Sequence, residues 1–267
     1  MIERLILLAI TGAVLTGVSC SLVGSFVVRM NLSSLGFAMS HAAFAGAALG
    51  LVLSVDPLIV AIVFSTGVAI LLGPLAEKAK LPTNVILGIL FSLMISLGLI
   101  FLNLVPQTAM SSTALSILWG SILGMTVENI LKLLMLTVGI ILIFILFFKE
   151  FQSIMFSRKL AEASGINTKP FYYLILFLTG ITVAFSLKLV GGLLVFALMV
   201  NPASSAYQFF YDMKKITLFS PVIGVLCCIT GVAVSFLLDL PTGSSIAIVS
   251  SVVFGVSVLL SPKRRRG

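Results

Sequence analysis

The sequence predicts an all-α membrane protein, a polytopic bundle of about nine transmembrane helices with a short re-entrant helix and a cytoplasmic coupling helix. Three observations predict it. The 267 residues are 60% hydrophobic and 9% charged, with a mean hydropathy of +1.28, too apolar for a water-soluble globule. The apolar residues fall in runs of about 20, the length that crosses the hydrocarbon of a bilayer. Most Lys and Arg residues lie in the connections, on alternate sides of the runs.

The runs cover residues 5–28, 36–54, 57–75, 84–104, 127–148, 170–187, 191–210, 216–238 and 243–261. The first is too long for a removable secretion signal. If it were a short hairpin, or if the seventh and eighth were divided wrongly, the count would be eight or ten. Residues 113–123 are apolar but too short to span, and read as the re-entrant helix. Spans and connections use up the chain, so residues 1–267 form a single transmembrane domain. No room remains for a nucleotide-binding domain, and no G-x-x-x-x-G-K-[ST] phosphate cradle occurs. The chain is therefore expected not to be an enzyme, and any ATP chemistry belongs to another subunit.

Of sixteen Lys and Arg residues, thirteen fall on one side: Arg29, Lys78, Lys80, Lys149, Arg158, Lys159, Lys169, Lys214, Lys215 and Lys263 through Arg266. Arg4, Lys132 and Lys188 fall opposite. The eight acids divide equally, so the faces carry +9 and −1. The positive face is cytoplasmic, which puts the amino terminus outside and the carboxyl terminus inside. The net charge of +8 thus reports topology and a lipid bilayer partner, not nucleic acid, and the basic tail reads as cytoplasmic anchoring with contact to anionic lipid. Cys20, Cys227 and Cys228 lie within apolar runs without C-x-x-C spacing and read as packing residues.

Polar side chains at membrane depth face a bundle interior or a wet path, so each is a candidate site. The single histidine, His41, follows Ser40 in the second helix. An imidazole ligates divalent cations and exchanges a proton near neutral pH. Ala42, Gly46 and Gly50 recur every four residues beside it, a smooth face that lets another helix approach closely and places the second helix centrally. A His41 that only hydrogen-bonds nearby backbone is the competing reading. On the seventh helix Asn201, Ser204, Ser205 and Gln208 share one face. Pro202 cannot donate to the Leu198 carbonyl, which is left for water, a side chain or an ion. The stripe is either a polar path along a broken helix or glue between helices. Asp239, before Leu240-Pro241-Thr242-Gly243-Ser244, sits at an outer mouth or turn where Thr242 or Ser244 can cap the last helix. Glu128 and Lys132 are spaced for a local ion pair. The charged segment at about 150–168 holds a short helix ending at a glycine, through Leu160, Ala161, Glu162, Ala163 and Gly165, suited to docking a soluble motor or to a plain connection.

Taken together, Ser40-His41-Ala42 with Gly46, Gly191-Gly192-Leu193-Leu194 followed by Pro202-Ala203 and Ala206, Asp239-Leu240-Pro241 with Gly243, Leu118-Trp119-Gly120-Ser121-Ile122-Leu123, and Leu160 through Gly165 resemble the membrane-spanning permease subunit of bacterial ATP-binding-cassette importers for zinc and manganese. The order and spacing of these stretches extend over about 200 residues. The resemblance implies a permease homodimer around a central path in the bacterial cytoplasmic membrane. It also implies a cytoplasmic ABC ATPase dimer, holding the ATP, docked on the coupling helices, and an extracytoplasmic solute-binding protein that delivers zinc or manganese. No cofactor is implied for this chain itself. Three departures stand out: Phe37 occupies the position of the family's usual aspartate one turn before the histidine, Asn201 replaces an apolar residue, and Ser121 replaces a loop aspartate. Charge is lost from the path, and thioethers of Met39 or Met199 could soften the site. The expected function is ABC import of a divalent metal, with His41 as metal contact or gate, Ser40, Asn201, Ser204 and Ser205 along the path, and Leu160 to Gly165 receiving force. An iron or metal-chelate permease and a proton-coupled secondary transporter are the alternatives. An intramembrane hydrolase is disfavoured, because no buried acid orients the lone imidazole.

Overall fold

The computed structural model describes residues 2–105 and 126–263. The expected re-entrant helix, the Trp119 loop with Ser121, and tail residues 264–266 lie outside these, as do the side chains of Arg4, Lys188, Leu193 and Leu194. Among the described residues there are eleven helices: α1 Ile2–Arg29, α2 Ser33–Val52, α3 Pro57–Ala79, α4 Thr83–Leu104, α5 Val127–Leu146, α6 Phe148–Phe156, α7 Arg158–Ala163, α8 Thr168–Val190, α9 Gly192–Phe209, α10 Met213–Leu238 and α11 Thr242–Leu259. Eight are long and apolar enough to cross a bilayer. The remaining long one, α9, has 18 residues, about 27 Å at 1.5 Å per residue. Each apolar run of the sequence has become one helix.

Polar punctuation sets the ends. Asp56 caps α3 by accepting from Leu58 N at 2.9 Å, with Pro57 in the first turn. Thr126 accepts from Asn129 N to start α5, and Asp212 from Lys214 N to start α10. Lys80 and Asp239 adopt left-handed conformations, with φ of 52° each, where α3 and α10 stop.

Small residues decide which helices touch. A Cβ at Gly24 would collide with the backbone carbonyl of Met199, so α1 lies directly against α9. At Gly17 and Gly224 the α1 and α10 backbones meet in the same way. Around α2, Gly46 admits the α3 backbone at Val60 and Ala61, and Phe44 occupies the space above Gly98 of α4. The expected central position of α2 is observed: Ala38, Ala42, Ala43, Ala45 and His41 are all buried. Side-chain hydrogen bonds add to this packing. Ser65 of α3 donates to the Gly180 carbonyl of α8 at 3.0 Å, and Cys20 lies 3.2 Å from Ser186 Oγ. All three cysteines are buried and unpaired, as packing residues. The outer helices α4, α5, α10 and α11 turn exposed Leu, Ile and Val side chains outward, the surface that suits lipid.

At the positive face, Phe26 stacks on Phe144 with ring centroids 4.1 Å apart, and Phe151 closes edgewise on both, tying α1 to α5 and α6. The start of the basic tail does not simply reach for lipid. Lys263 turns inward, donating to the Tyr207 carbonyl and, at 2.9 Å, to that of Phe210, with its ammonium 4.1 Å from the centre of the Tyr211 ring. Carbonyls at the end of α9 lack helical partners, and a cation there satisfies them. Burial, and then the charge of Arg29, hold the Lys263 ammonium below its ordinary value of 10.5.

Candidate transport path

His41 is 4% exposed on α2. Its Nδ1 lies 2.9 Å from the carbonyl oxygen of Phe37, one turn earlier. A carbonyl can only accept, so Nδ1 carries the proton, and in the neutral ring Nε2 presents its lone pair. This arrangement leaves one nitrogen able to ligate a metal while the other fixes the ring. Aromatic rings surround the imidazole. Phe37 and Phe91 stand edge-on to it at 4.8 and 4.6 Å between centroids. Phe37 in turn stacks on Phe91 at 4.6 Å and meets Phe196 of α9 at 5.4 Å. All three phenylalanines are half-buried, so the cluster reaches the surface of the protomer. Phe37 was legible as a neighbour from its spacing on one helix. Phe91 and Phe196 come from α4 and α9, and no local pattern points to them.

Ser40 is fully buried and donates to the Gly36 carbonyl at 2.8 Å. Met39 and Met199 are both buried, with their sulfurs filling the space beside Gly180 and Gly36. Among the described residues no group of three His, Cys, Asp or Glu side chains comes together to hold a metal ion. A cation at His41 would complete its shell with neutral oxygens or with groups beyond this protomer.

The polar stripe of α9 has a different outcome. The Asn201 amide donates to Ser250 Oγ at 3.0 Å and to Ser251 Oγ at 3.1 Å, joining α9 to α11. Ser205, buried, donates to the Asn201 carbonyl at 2.8 Å, and Ser204 is half-buried. The expectation of a broken helix is corrected: α9 runs through Pro202. The Leu198 carbonyl that proline leaves without a partner takes the hydroxyl of Ser21 from α1, at 3.3 Å. The structure joins His41 to α9 through Phe37 and Phe196, whereas Asn201 turns to α11, so the two polar features occupy separate contacts of one helix.

Asp239 is exposed in the turn from α10 to α11. Capping of α11 by Thr242 or Ser244 is also corrected: Pro241 precedes the helix without a side-chain cap, and Thr242 Oγ1 instead lies 3.2 Å from Ser235 Oγ, which donates to the Leu240 carbonyl. A proline has no capping oxygen, and the serine of the previous helix takes over the polar groups of the turn. Glu128 and Lys132 form the expected ion pair at 2.7 Å, on an exposed face.

In the segment between α5 and α8, Ser157 caps α7 by accepting from Leu160 N. Gly165, at φ 83°, stops it, with Gly165 N bonded to Glu162 O and Ile166 N to Ala161 O. This double bond pattern at a left-handed glycine is a Schellman termination. Ala161 is buried, anchoring the helix, and Leu160 is 57% exposed. Glu162 accepts from the Thr168 hydroxyl and pairs with Arg158 at 3.4 Å. That hydroxyl, followed by Arg158, holds the Glu162 carboxyl below its ordinary value of 4.5. α7 is thus a short rigid knob with an apolar tip.

A profile of the ABC 3 transport family matches residues 3–261. The chain belongs to the ABC 3 transport family. Among similar members, the manganese transport system membrane protein MntC of Listeria monocytogenes is 30% identical over 258 residues, covering 96% of this chain and 90% of that one. The manganese import system permease protein ScaB of Streptococcus parasanguinis is 30% identical over 97% of this chain and 91% of its own length. The high-affinity zinc uptake system membrane protein ZnuB of Haemophilus influenzae is 30% identical over 95% and 97%. A chain of the solved structure of PsaBC from Streptococcus pneumoniae in complex with Fab superposes with a TM-score of 0.86 at 28% identity, covering 99% of this chain and 98% of that one. ABC 3 membership and the apolar helices together make this an integral membrane transport protein, in agreement with the resemblance read from its motifs.

Proposed function

We propose that this chain is the membrane-spanning permease of an ABC importer that passes a divalent metal, manganese or zinc, across the bacterial cytoplasmic membrane. The observation that carries the reading is His41: one imidazole, buried in the central helix of an ABC 3 transport fold, with its proton fixed on Nδ1 by the Phe37 carbonyl and Nε2 left as a ligand. Relatives named for manganese and zinc transport support the cargo.

The chain performs no covalent chemistry. Two copies enclose the path, a cytoplasmic ATPase dimer binds ATP and presses on α7 through Leu160 and its neighbours, and an extracytoplasmic binding protein delivers the metal. The charge asymmetry puts the amino terminus outside and Lys263 inside. Ser40, Ser204 and Ser205 contribute neutral oxygens along the route, Asn201 holds α9 to α11 beside it, and Asp239 attracts cations at the outer turn. With one imidazole and no carboxylate grouped with it among the described residues, the membrane site holds metal loosely, so the binding protein sets selectivity.

One observation favours a second cargo. The Phe37, Phe91 and Phe196 rings around His41 suit a metal held in an organic chelate better than a hydrated ion. The test is reconstitution with the ATPase in vesicles, comparing ATP-dependent uptake of manganese, zinc and a ferric chelate by the native chain and by His41→Ala. Uptake of free metal that falls at least tenfold in the variant is expected. Unchanged uptake and selectivity would remove His41 from the mechanism, chelate-only uptake would select the second cargo, and uptake driven by a proton gradient without ATP would replace the ABC reading.

A further inference from the structure

On the positive face, the carboxyl-terminal ends of α1 and α3 and the amino-terminal ends of α4 and α8 surround a cavity of about 380 Å³. Its polar wall is Arg158, Lys169, Tyr172 and Tyr173, and its apolar wall includes Met30 and Leu81. No carboxylate lines it among the described residues. The wall is built in place. Arg158 is the first residue of α7, and its guanidinium lies 5.4 Å from the centre of the Tyr172 ring. Arg158 Nε donates to Thr168 Oγ1 at 3.0 Å, and Glu162 approaches the same nitrogen, leaving the rest of a five-donor fork for a ligand. The Tyr173 hydroxyl rests against Gly73 of α3, in space that any side chain there would fill. The apolar side opens outward: Leu81 is 44% exposed, and Leu75, beside the lining residue Ala76, is 40% exposed.

Two cations and two tyrosines at the level of the helix ends, above an apolar wall open to the lipid-facing surface, match an amphipathic anion. A soluble phosphate would gain nothing from Leu81 or Met30. Basic pockets between helices on the cytoplasmic side recognise anionic lipid headgroups, and tyrosines favour the same interface. We propose that this cavity binds one anionic phospholipid of the cytoplasmic leaflet. Its phosphodiester is held by Arg158 and Lys169, a headgroup oxygen accepts from the Tyr173 hydroxyl, and its first acyl carbons lie along Leu81 and Met30. Because Arg158 begins α7, an occupied site anchors that helix to the membrane surface. The inference rests on the cytoplasmic orientation of this face and not on the identity of the cargo.

The test uses the full permease with its ATPase, exchanged into nanodiscs of equal parts phosphatidylglycerol and phosphatidylcholine and released for native mass spectrometry. Preferential retention of one phosphatidylglycerol per protomer is expected. The retention should fall severalfold in Lys169→Gln and Tyr173→Phe and persist in Lys169→Arg, with melting temperature reporting that each variant is folded. Lys214→Gln removes an equal charge from the same face outside the cavity and should retain the lipid. Equal retention of both lipids, equal loss in Lys214→Gln and Lys169→Gln, or displacement of the lipid by the same concentration of soluble glycerophosphate would each overturn the proposal, the last by making the site one for soluble anions.

Discussion

His41 donates its Nδ1 proton to the carbonyl of Phe37 at 2.9 Å, so the residue that brings no carboxylate to the site still supplies the backbone acceptor that fixes the imidazole. The Phe37 ring then packs against the imidazole it orients. One residue thus gives the imidazole both an aromatic wall and the acceptor that keeps the proton on Nδ1, leaving Nε2 unprotonated.

A carboxylate introduced at this position should therefore add a ligand beside the imidazole. Phe37→Asp places an acid one turn from His41, within reach of a shared cation. Manganese and zinc binding to the detergent-purified permease, measured by calorimetry, should tighten at least tenfold, or by about 1.4 kcal/mol. The gain should vanish in Phe37→Asp/His41→Ala. A gain that survives loss of His41 would mean that the acid binds elsewhere.

Close helix contacts make opposite predictions for different glycines. Gly24→Ala forces a Cβ into the Met199 carbonyl of α9, and Gly46→Ala into Val60 and Ala61 of α3. Each should destabilise by about 1–3 kcal/mol through overpacking. Gly139→Ala, on α5 with nothing within 4 Å, should be neutral or stabilise by up to about 1 kcal/mol from helix propensity. Thermal unfolding in detergent separates the two classes.

The polar tie between α9 and α11 should show in Asn201→Ala. Two side-chain bonds to Ser250 and Ser251 are lost, each worth about 0.6 kcal/mol in a membrane bundle. A total loss of about 1 kcal/mol is expected in unfolding measurements. Ser21→Ala, which strips the Leu198 carbonyl of its acceptor bond, should cost about 1–3 kcal/mol for the buried group left unpaired.

The α7 segment should be acid-sensitive only well below neutrality. Because the Thr168 hydroxyl and Arg158 hold the folded-state value of Glu162 below 4.5, its contribution is fully present above the unfolded value and is lost as pH falls through the folded one. Isotope-edited infrared titration of Glu162 should give a midpoint below 4.5, and Thr168→Val should move it upward. A midpoint unchanged by Thr168→Val would show that the hydroxyl bond does not hold the carboxylate.

Much of this architecture was legible locally. Runs of about 20 apolar residues must satisfy their backbone as helices in lipid, so the nine long helices, the central α2 and the alternation of charge could be read from residue order. So could the glycine stop at Gly165, because a left-handed backbone excludes most side chains. The site was legible as residues but not as a geometry. His41 and Asn201 were visible as polar groups at depth. Whether Asn201 lines a path or bonds to Ser250, whether the Leu198 carbonyl stays open or takes Ser21, and which rings surround His41 depend on helices distant in the chain.

By itself, then, the sequence determined which segments enter the membrane, which face carries the charge and which few side chains resist burial, since transfer energies and helix propensities act on each residue and its near neighbours. Only the tertiary structure decided their partners. Gly24 against Met199 and Gly46 against Ala61 set the helix spacing. That spacing brings Phe91 and Phe196 into the aromatic cluster of His41 and joins Asn201 to α11, because short-range packing and hydrogen bonds exist only between groups that the completed fold has brought within a few ångströms.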